Sequence, residues 1–150
     1  MQYYQKNLLL KNNMKIGLIC GCFDLFHIGH LNILENCKNN CDYLIVGVCN
    51  DAHIRLKKHK EPIINEQDRL KIINAIKYVD KAFLITNEET ENKLQLIIAN
   101  KVNIVFDGDD WKDDIRYKKL RNEGIEVKFF PYTKGISTTL IRNKLNERPL

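Results

Sequence analysis

Short apolar, β-branched runs alternate along this chain with segments of helical period, and this alternation limits the folds it can adopt. Strands joined through helices run parallel, because each crossover returns the chain to the same end of the sheet. The pattern therefore predicts an α/β fold, a doubly wound five-stranded parallel sheet with helices on both faces. The strand candidates are Lys15–Cys20, Tyr43–Cys49, Lys81–Thr86, Asn103–Phe106 and Glu126–Phe130.

Capping residues mark several of the predicted helices. Asn65 and Ser137 are typical N-cap residues, and Gly124 is a typical residue at which a helix stops. Ligands of such sheets bind at the carboxyl ends of the strands, where the strand order reverses. The segment that follows the first strand is therefore the first place to seek a site. The predicted helices contain residues 31–37, 70–76, 94–98, 113–122 and 140–145.

The length of 150 residues predicts a single domain, because two separate cores would need a longer chain. Residues 14–150 are assigned to this domain, and residues 1–13, rich in Asn, Gln and Lys, to an N-terminal extension without an assigned role. The 44% hydrophobic and 29% charged residues are typical of a globular protein and argue against wholesale disorder. No apolar run approaches the ~18 residues of a membrane span.

The net charge of +5 comes from dispersed lysines and arginines and suits a polyanionic small molecule. No aromatic-studded basic stripe is present, so nucleic acid is not a predicted partner. The five cysteines are odd in number and follow no signal peptide, which argues against a disulfide framework and favours the cytoplasm. They also lack paired CxxC spacing, so a zinc site is not predicted and the metal ligands stay unknown.

His27 and His30 lie where the first predicted strand passes into the first helix. Backbone N–H groups of a first helical turn are unpaired and the helix dipole is positive there, so the position attracts an anion such as phosphate. Both histidines share one helix face, and Gly29 between them leaves room for close approach. Capping or packing would explain a lone histidine, but the pair after Gly21 favours an anion site.

A second candidate phosphate site precedes the final predicted helix. Its glycine gives flexibility, and its hydroxyl residues offer N–H and O–H donors at a helix start. A simple serine cap is the plainer interpretation, and the partnership with the two histidines is what favours a phosphate site. The residues are Gly135, Ile136, Ser137, Thr138 and Thr139.

Charged residues elsewhere extend these two candidate sites. Lys58, Lys60 and Arg69 are predicted to close over a polyphosphate, although lysines of a solvated loop would look similar. Arg69 is the strongest of them, because a guanidinium grips phosphate through two hydrogen bonds. The segment Asp107–Trp111 follows the fourth predicted strand. It is expected either to contact a base or a metal ion, or to form a turn with a capping aspartate.

The sequence offers no obvious covalent nucleophile. No serine or cysteine has an evident base beside it, and Cys22 in the strand-to-helix turn is expected to be packed rather than reactive. What remains is a site for positioning and charge neutralisation, which phosphoryl and nucleotidyl transfer chiefly require. Direct displacement at phosphorus is the predicted route.

The segment Gly21–His30 resembles the G-x-F-D-x-x-H-x-G-H signature of the HxGH nucleotidylyltransferases. Pro131–Thr139 resembles the R-T-x-G-I-S-T-T signature of the cytidylyltransferases within that superfamily. Ile76–Asp80 and Gly108–Trp111 are similar to segments of bacterial glycerol-3-phosphate cytidylyltransferases. The resemblance covers about residues 14–146 and implies a Rossmann-like fold with CTP as the nucleotide.

Carried over residue by residue, the resemblance implies three groups of site residues. The catalytic group, which would contact the CTP phosphates, is His27, His30, Lys58 and Arg69. The acceptor-binding group is Asp24, Lys77, Trp111 and Tyr132. The nucleotide-binding group is Gly21, Cys22, Phe23, Gly29, Lys60, Asp107, Asp109, Gly135, Ile136, Ser137, Thr138 and Thr139.

Three positions depart from the family's pattern. Cys22 stands where relatives often have Thr, Lys77 where the glycerol-3-phosphate enzymes have Arg, and Tyr132 where the family has Arg. A tyrosine cannot replace the charge of a guanidinium, so phosphate clamping near Tyr132 is expected to be weaker or to come from elsewhere. The acceptor therefore need not be glycerol 3-phosphate.

The resemblance implies a cytoplasmic homodimeric enzyme that uses Mg²⁺ and transfers CMP from CTP to a small phosphorylated alcohol. A CDP-alcohol and pyrophosphate would result, for the synthesis of surface polymer or lipid precursors. Glycerol 3-phosphate is the first candidate acceptor, and phosphocholine, phosphoethanolamine and phosphorylated sugars or amino-acid derivatives are alternatives. The competing interpretations are an adenylyltransferase of the same superfamily, of a heptose-phosphate or flavin-nucleotide type, and a non-catalytic nucleotide-binding module.

Overall fold

The computed structural model describes residues 14–147, so the proposed extension over residues 1–13 lies outside the described part. The strands are β1 (Ile16–Gly21), β2 (Tyr43–Cys49), β3 (Lys81–Ile85), β4 (Ile104–Gly108) and β5 (Glu126–Phe130). The α-helices are α1 (Ile28–Lys38), α2 (Asp51–Lys58), α3 (Glu66–Asn74), α4 (Asn87–Glu91), α5 (Leu94–Asn100), α6 (Ile115–Asn122) and α7 (Thr138–Asn146). A short 3₁₀ turn, Asp109–Trp111, follows β4.

The strands form one parallel sheet in the order β3-β2-β1-β4-β5, and the order reverses at β1. The chain first builds outward through β2 and β3, then crosses to the other side of β1 to add β4 and β5. Gly21 pairs with Val48 of β2, and Ile19 pairs with Phe106 of β4. A crevice between the carboxyl ends of β1 and β4 follows from this reversal. The predicted doubly wound, five-stranded parallel sheet is confirmed.

Alternation along the buried strands sends side chains into two separate core layers. On one face of the sheet, Leu18, Ile45 and Val105 pack with residues of α5 and α6. On the other face, Ile19 and Val46 pack with residues of α1 and α3. Both faces are therefore covered by helices, and the carboxyl edge of the sheet stays open to a ligand.

Side-chain caps begin the helices on either side of this edge. Asn65 accepts the backbone N–H of Asp68 at 3.0 Å where α3 begins. Ser137 accepts the backbone N–H of Leu140 at 3.0 Å where α7 begins. Both N-caps predicted from the sequence are confirmed, because a cap depends on contacts three residues away and is a local property.

Two further helices have weak signals in the sequence and are not predicted there. α2 buries only His53 and Ile54, and α4 has five residues, so neither shows a clear helical period. α2 nevertheless carries Lys58 toward the open edge of the sheet. Within residues 14–147, no helix is both long and apolar enough to cross a membrane.

The packing of α1 can be tested with a pair of leucine variants. Leu34 is fully buried, so Leu34→Ala is expected to lower the free energy of unfolding by about 2–5 kcal/mol. Leu56 on α2 is 58% exposed, and Leu56→Ala should change that free energy by about 0.5 kcal/mol or less. Urea unfolding followed by circular dichroism measures both values. Similar losses for the two variants would contradict the described packing.

Candidate active site

Two histidines meet at the N-terminus of α1, directly after β1. His27 is the N-cap residue, and its Nδ1 accepts the backbone N–H of Gly29 at 3.0 Å. His30 Nδ1 accepts the backbone N–H of His27 at 3.2 Å, and the two ring centroids are 3.9 Å apart. Each side chain thus satisfies a donor that the helix start leaves free, and the two stacked rings are held in place.

These hydrogen bonds determine which ring nitrogen carries the proton. A backbone N–H can only donate, so Nδ1 of each neutral ring is the acceptor and Nε2 carries the hydrogen. Burial, with His27 and Lys58 nearby, lowers the pKa of His30 to about 4, and burial also lowers the pKa of His27. At neutral pH His30 is therefore an uncharged ring that offers an Nε2–H donor.

The N-termini of α1 and α7 border the same cavity, whose lining includes His30, Thr138 and Thr139. Gly29 also lines it, and a Cβ added there would lie 2.8 Å from Cε1 of His27. A side chain at this position would displace the histidine pair, which explains the need for glycine. Two helix starts with free donors and positive dipole ends make the cavity suitable for a polyanion.

Asp24 connects the turn after β1 with two distant segments. Its carboxylate accepts the backbone N–H groups of Ile63 and Ile64, both at 2.9 Å, and Nη2 of Arg142 at 3.1 Å. Its carbonyl accepts the Thr138 hydroxyl at 3.0 Å. Burial opposes ionisation, but the surrounding donors hold the pKa of Asp24 below its usual value. The loop before α3 and the start of α7 are therefore both bound to this turn.

The turn that carries Asp24 has a strained backbone. Phe23 and Leu25 have φ angles of 53° and 50°, in the left-handed region that costs a non-glycine residue about 1 kcal/mol. The buried Phe23 ring meets the His30 ring edge-on, with centroids 5.4 Å apart. The strained turn thus places an aromatic support against the catalytic candidate.

Arg142 on α7 lines the cavity and is a residue that the sequence analysis does not identify. Besides Asp24, its Nη2 donates to the Glu61 carbonyl at 3.0 Å. Its Nε is buried and lacks a hydrogen-bond partner within residues 14–147. The spacing of four residues from Thr138 places Arg142 on the same helix face, and this spacing is the signal that would have indicated it.

Lys58, Lys60 and Cys22 also line the cavity. A hydrogen bond from Cys49, together with the nearby Lys58, lowers the pKa of Cys22 to about 6. This lowered pKa is not apparent from the sequence, which predicts only a packed thiol at Cys22. The low pKa arises from tertiary contacts, because Cys49 comes from β2 and Lys58 from α2.

Arg69 is fully buried, and its guanidinium is not free to hold a phosphate. Nη1 donates to the carbonyl groups of Cys22 at 2.6 Å and Cys49 at 2.8 Å, and Nε donates to that of Ile64 at 2.9 Å. Nη2 pairs with the Asp51 carboxylate at 2.6 Å. The structure therefore gives Arg69 a supporting place behind the cavity, in contrast to the phosphate contact expected from the sequence.

The segments after β4 and β5 complete the lining through Asp107 and Tyr132. The Asp107 carboxylate accepts the Gly108 N–H at 2.8 Å and the Tyr117 hydroxyl, and burial raises its pKa. The Tyr132 hydroxyl donates to Asp110 at 2.8 Å. Tyr132 therefore presents an uncharged aromatic ring to the cavity, at the position where the signature that Pro131–Thr139 resembles has an arginine.

Most of the predicted site residues come together around this one cavity. Those that line it are Gly21, Cys22, Phe23, Asp24, Gly29, His30, Lys58, Lys60, Asp107, Tyr132, Thr138 and Thr139. The others have supporting or outer positions: His27 stacks on His30, Ser137 caps α7, and Lys77 and Trp111 are exposed. The predicted residues outside the lining are His27, Arg69, Lys77, Asp109, Trp111, Gly135, Ile136 and Ser137.

A family model described as Cytidylyltransferase-like matches residues 18–144, a range that contains the whole cavity lining. The chain belongs to the cytidylyltransferase-like family. It is 36% identical over 132 residues to the glycerol-3-phosphate cytidylyltransferase of Bacillus subtilis (strain 168), which covers 88% of this chain and 98% of that protein. The chain is therefore a nucleotidyltransferase, and these relatives support CTP-dependent cytidylyltransferase activity.

Other matches are to one part of a longer protein or to solved structures with a similar fold. The bifunctional protein HldE of Koribacter versatilis (strain Ellin345) is 34% identical over 137 residues, which cover 89% of this chain and 28% of HldE. A lipopolysaccharide core biosynthesis protein from Thermoplasma volcanium GSS1 has a TM-score of 0.66 and 32% identity, covering 83% of this chain and all of that one. A pantoate-beta-alanine ligase from Francisella tularensis, with a TM-score of 0.60 and 16% identity, shares the fold; the match covers 98% of this chain and 76% of that one.

The supporting place of Arg69 predicts a large effect on stability. Arg69→Met leaves Asp51 and the strand-end carbonyls without their buried partner, so the free energy of unfolding should fall by about 3–5 kcal/mol. Arg55→Met is the matched control, because Arg55 pairs with Glu61 at the surface and should contribute about 1 kcal/mol or less. Urea unfolding compares them. Normal stability of Arg69→Met with weakened CTP binding would instead indicate a direct phosphate contact.

The low pKa of His30 predicts a pH dependence of stability. The unfolded chain takes up a proton on this histidine near pH 6.5, whereas the folded chain resists it until about pH 4. Wild-type stability therefore falls as the pH is lowered through this interval. His30→Asn lacks this titrating group. The free energy of unfolding of the wild type should therefore fall relative to that of His30→Asn as the pH is lowered from 6.5 to 4, as measured by urea unfolding. A difference in free energy of unfolding between the two proteins that does not change with pH would contradict the burial of His30 as a neutral ring.

Proposed function

We propose that this enzyme transfers CMP from CTP to a small phosphorylated alcohol, with glycerol 3-phosphate as the first candidate acceptor. The observation that carries the proposal is the meeting of the α1 and α7 N-termini with Lys58 and Lys60 at one cavity. Both helix starts attract anions and the lysines add positive charge, so the cavity suits a triphosphate. Similarity over nearly the full length of a glycerol-3-phosphate cytidylyltransferase supports the acceptor.

The proposed reaction is a direct in-line displacement. An oxygen of the acceptor's phosphomonoester forms a bond to the α-phosphorus of CTP. The bond from that phosphorus to the bridging oxygen breaks, and pyrophosphate leaves with the electron pair. The attacking oxygen is already anionic, so the protein need not supply a strong base. The rate gain comes from positioning and from stabilising the charge on phosphorus.

Particular donors support this assignment. The Nε2–H groups of His27 and His30 are proposed to contact the phosphates, because their Nδ1 atoms are held by backbone donors. Thr139 adds a hydroxyl donor on the other side of the cavity, next to Thr138, whose hydroxyl donates to the Asp24 carbonyl. The buried Nε of Arg142, which lacks a protein partner within the described chain, would gain one from a bound phosphate oxygen.

Mg²⁺ is proposed to enter with the nucleotide. Within the described residues, the carboxylates that line the cavity are Asp24 and Asp107, and both already accept hydrogen bonds from the protein. These donors do not fit an all-protein cage, but they fit an ion that takes most of its ligands from phosphate and water. When bound, the ion would neutralise part of the triphosphate charge.

Tyr132, which the resemblance assigns to acceptor binding, is the reason to test several phosphorylated alcohols. Tyr132 offers an aromatic surface in place of the family's arginine. An aromatic face attracts a quaternary ammonium group, so phosphocholine is a meaningful competitor of glycerol 3-phosphate. Phosphoethanolamine and phosphorylated sugars or amino-acid derivatives complete the panel. A role in surface polymer or lipid precursor synthesis depends on which acceptor is used.

Adenylyl transfer is a second candidate, because the signature that Gly21–His30 resembles is shared by adenylyltransferases of the same superfamily. The Gly135–Thr139 segment, which resembles the cytidylyltransferase signature, favours CTP instead. The sequence also allows a non-catalytic nucleotide-binding module, but the family and the glycerol-3-phosphate cytidylyltransferase relatives support a nucleotidyltransferase instead. A homodimeric state and a cytoplasmic location stay predictions, for which light scattering and cell fractionation are the tests.

The deciding experiment measures pyrophosphate release with Mg²⁺ and either CTP or ATP against the acceptor panel, with mass spectrometry of the product. The proposal predicts release with CTP and glycerol 3-phosphate and formation of CDP-glycerol. Release with ATP alone would replace it with the adenylyl alternative. Binding of CTP without turnover by any acceptor of the panel would contradict the proposed acceptor class.

Two variants at different histidines test the proposed phosphate contact of His30. His30→Ala removes an Nε2–H donor at the phosphates, and kcat should fall by about 10²–10³-fold. His59→Asn is the control, since His59 is exposed at the end of α2 with a φ of 53°, which Asn tolerates. Its kcat should match the wild type. Near-normal turnover of His30→Ala would exclude the proposed role.

A further inference from the structure

Three side chains of the types that ligate metal ions converge beside the cavity. Cys22 follows β1, Cys49 ends β2, and His53 lies in the first turn of α2. Their ligand atoms all lie within 4.8 Å of one another. The ligands of a tetrahedral zinc ion are roughly 3.5–4 Å apart, as its bond lengths of about 2.0–2.3 Å require. Small side-chain rotations would therefore bring these three groups to coordination distance.

The backbone under the two cysteines is already fixed. Gly21 and Val48, the residues before them, are paired in the parallel ladder. One nitrogen of Arg69 donates to both cysteine carbonyl groups, at 2.6 and 2.8 Å. The two cysteines therefore stand on an ordered backbone, and an ion would find its sulfur ligands prearranged.

The environment of His53 also suits a ligand. Its Nδ1 lies 2.9 Å from Oδ1 of Asn87, and because an amide oxygen can only accept, Nδ1 is the donor. Nε2 is then the ring nitrogen that is left to bind a metal ion. A hydrogen bond from the second nitrogen to a protein oxygen is the usual support of a metal-binding histidine. The ring is buried, so it is kept from bulk water.

We infer that Cys22, Cys49 and His53 form a binding site for a thiophilic divalent cation of the zinc class. Two thiolates and one imidazole select such an ion over Mg²⁺, which prefers oxygen ligands. Cys22 also lines the nucleotide cavity, so the fourth coordination position is open to water or an anion there. Binding releases the remaining thiol protons to solvent.

This site is one that cysteine spacing alone does not indicate. The sequence analysis finds no paired CxxC and predicts no zinc site, but the ligands come from two adjacent strands and the helix that follows. The site is distinct from the proposed Mg²⁺ and triphosphate chemistry. Its test needs neither CTP nor turnover, so its failure and the failure of the proposed function can be told apart.

The test is a titration of the reduced, tag-free protein with Co²⁺, followed by displacement with Zn²⁺ in the presence of a chromophoric chelator. The expected result is a thiolate-to-Co²⁺ charge-transfer band and one Zn²⁺ per chain. Cys49→Ser and His53→Gln should each weaken Zn²⁺ binding by about 100-fold or more. Asn87→Ala, which removes the support of the ring, should weaken it by about 10–100-fold.

Cys41→Ser is the matched control, because Cys41 bonds to the Cys37 carbonyl, outside this cluster. It should bind Co²⁺ and Zn²⁺ as the wild type does. Metal-free urea unfolding verifies that each variant is folded, and Asn87→Ala keeps the test valid if a buried substitution unfolds the chain. The absence of the charge-transfer band would overturn the inference, as would unchanged Zn²⁺ affinity of His53→Gln and Asn87→Ala.

Discussion

The arrangement of the cavity depends on the buried guanidinium of Arg69. Parallel strands end with free carbonyl groups at this edge, and those of Cys22 and Cys49 both accept from Arg69. A buried charge is tolerated when it is paired and fully hydrogen-bonded, and Asp51 supplies the opposite charge. The guanidinium thus sets the distance between the end of β1 and the start of α2. Those two points carry the histidine pair and the helix that ends at Lys58.

The two histidines proposed to contact phosphate are oriented by the backbone rather than by other charges. Backbone N–H groups donate to Nδ1 of both His27 and His30. These hydrogen bonds fix the orientation of both neutral rings, so that Nε2–H is left as the free donor. A neutral donor needs no counter-ion in the absence of a ligand, which suits a partly buried site. The conformational entropy of the two side chains is thereby lost on folding rather than on binding, and a bound phosphate would contact donors that are already in position.

The sequence predicts the local parts of this structure well. Tyr43–Cys49 and Glu126–Phe130 are predicted with their observed bounds, because continuous β-branched and apolar runs identify buried strands. The N-caps at Asn65 and Ser137 are predicted for the same local reason. The place of Arg69 and the role of Arg142 are not, because burial and long-range hydrogen bonds depend on which loops meet after folding. The cluster around Cys49 escapes prediction for that reason as well.

Asp24 joins the turn after β1 to the loop before α3 and to α7, which comes after every strand of the sheet. The turn at Phe23 and Leu25 has a strained backbone, and Thr138 and Arg142 of α7 hold it in place. A chain that lacked α7 would keep every strand of the sheet but lose these contacts and one wall of the cavity. The sheet and the cavity therefore depend on different parts of the chain.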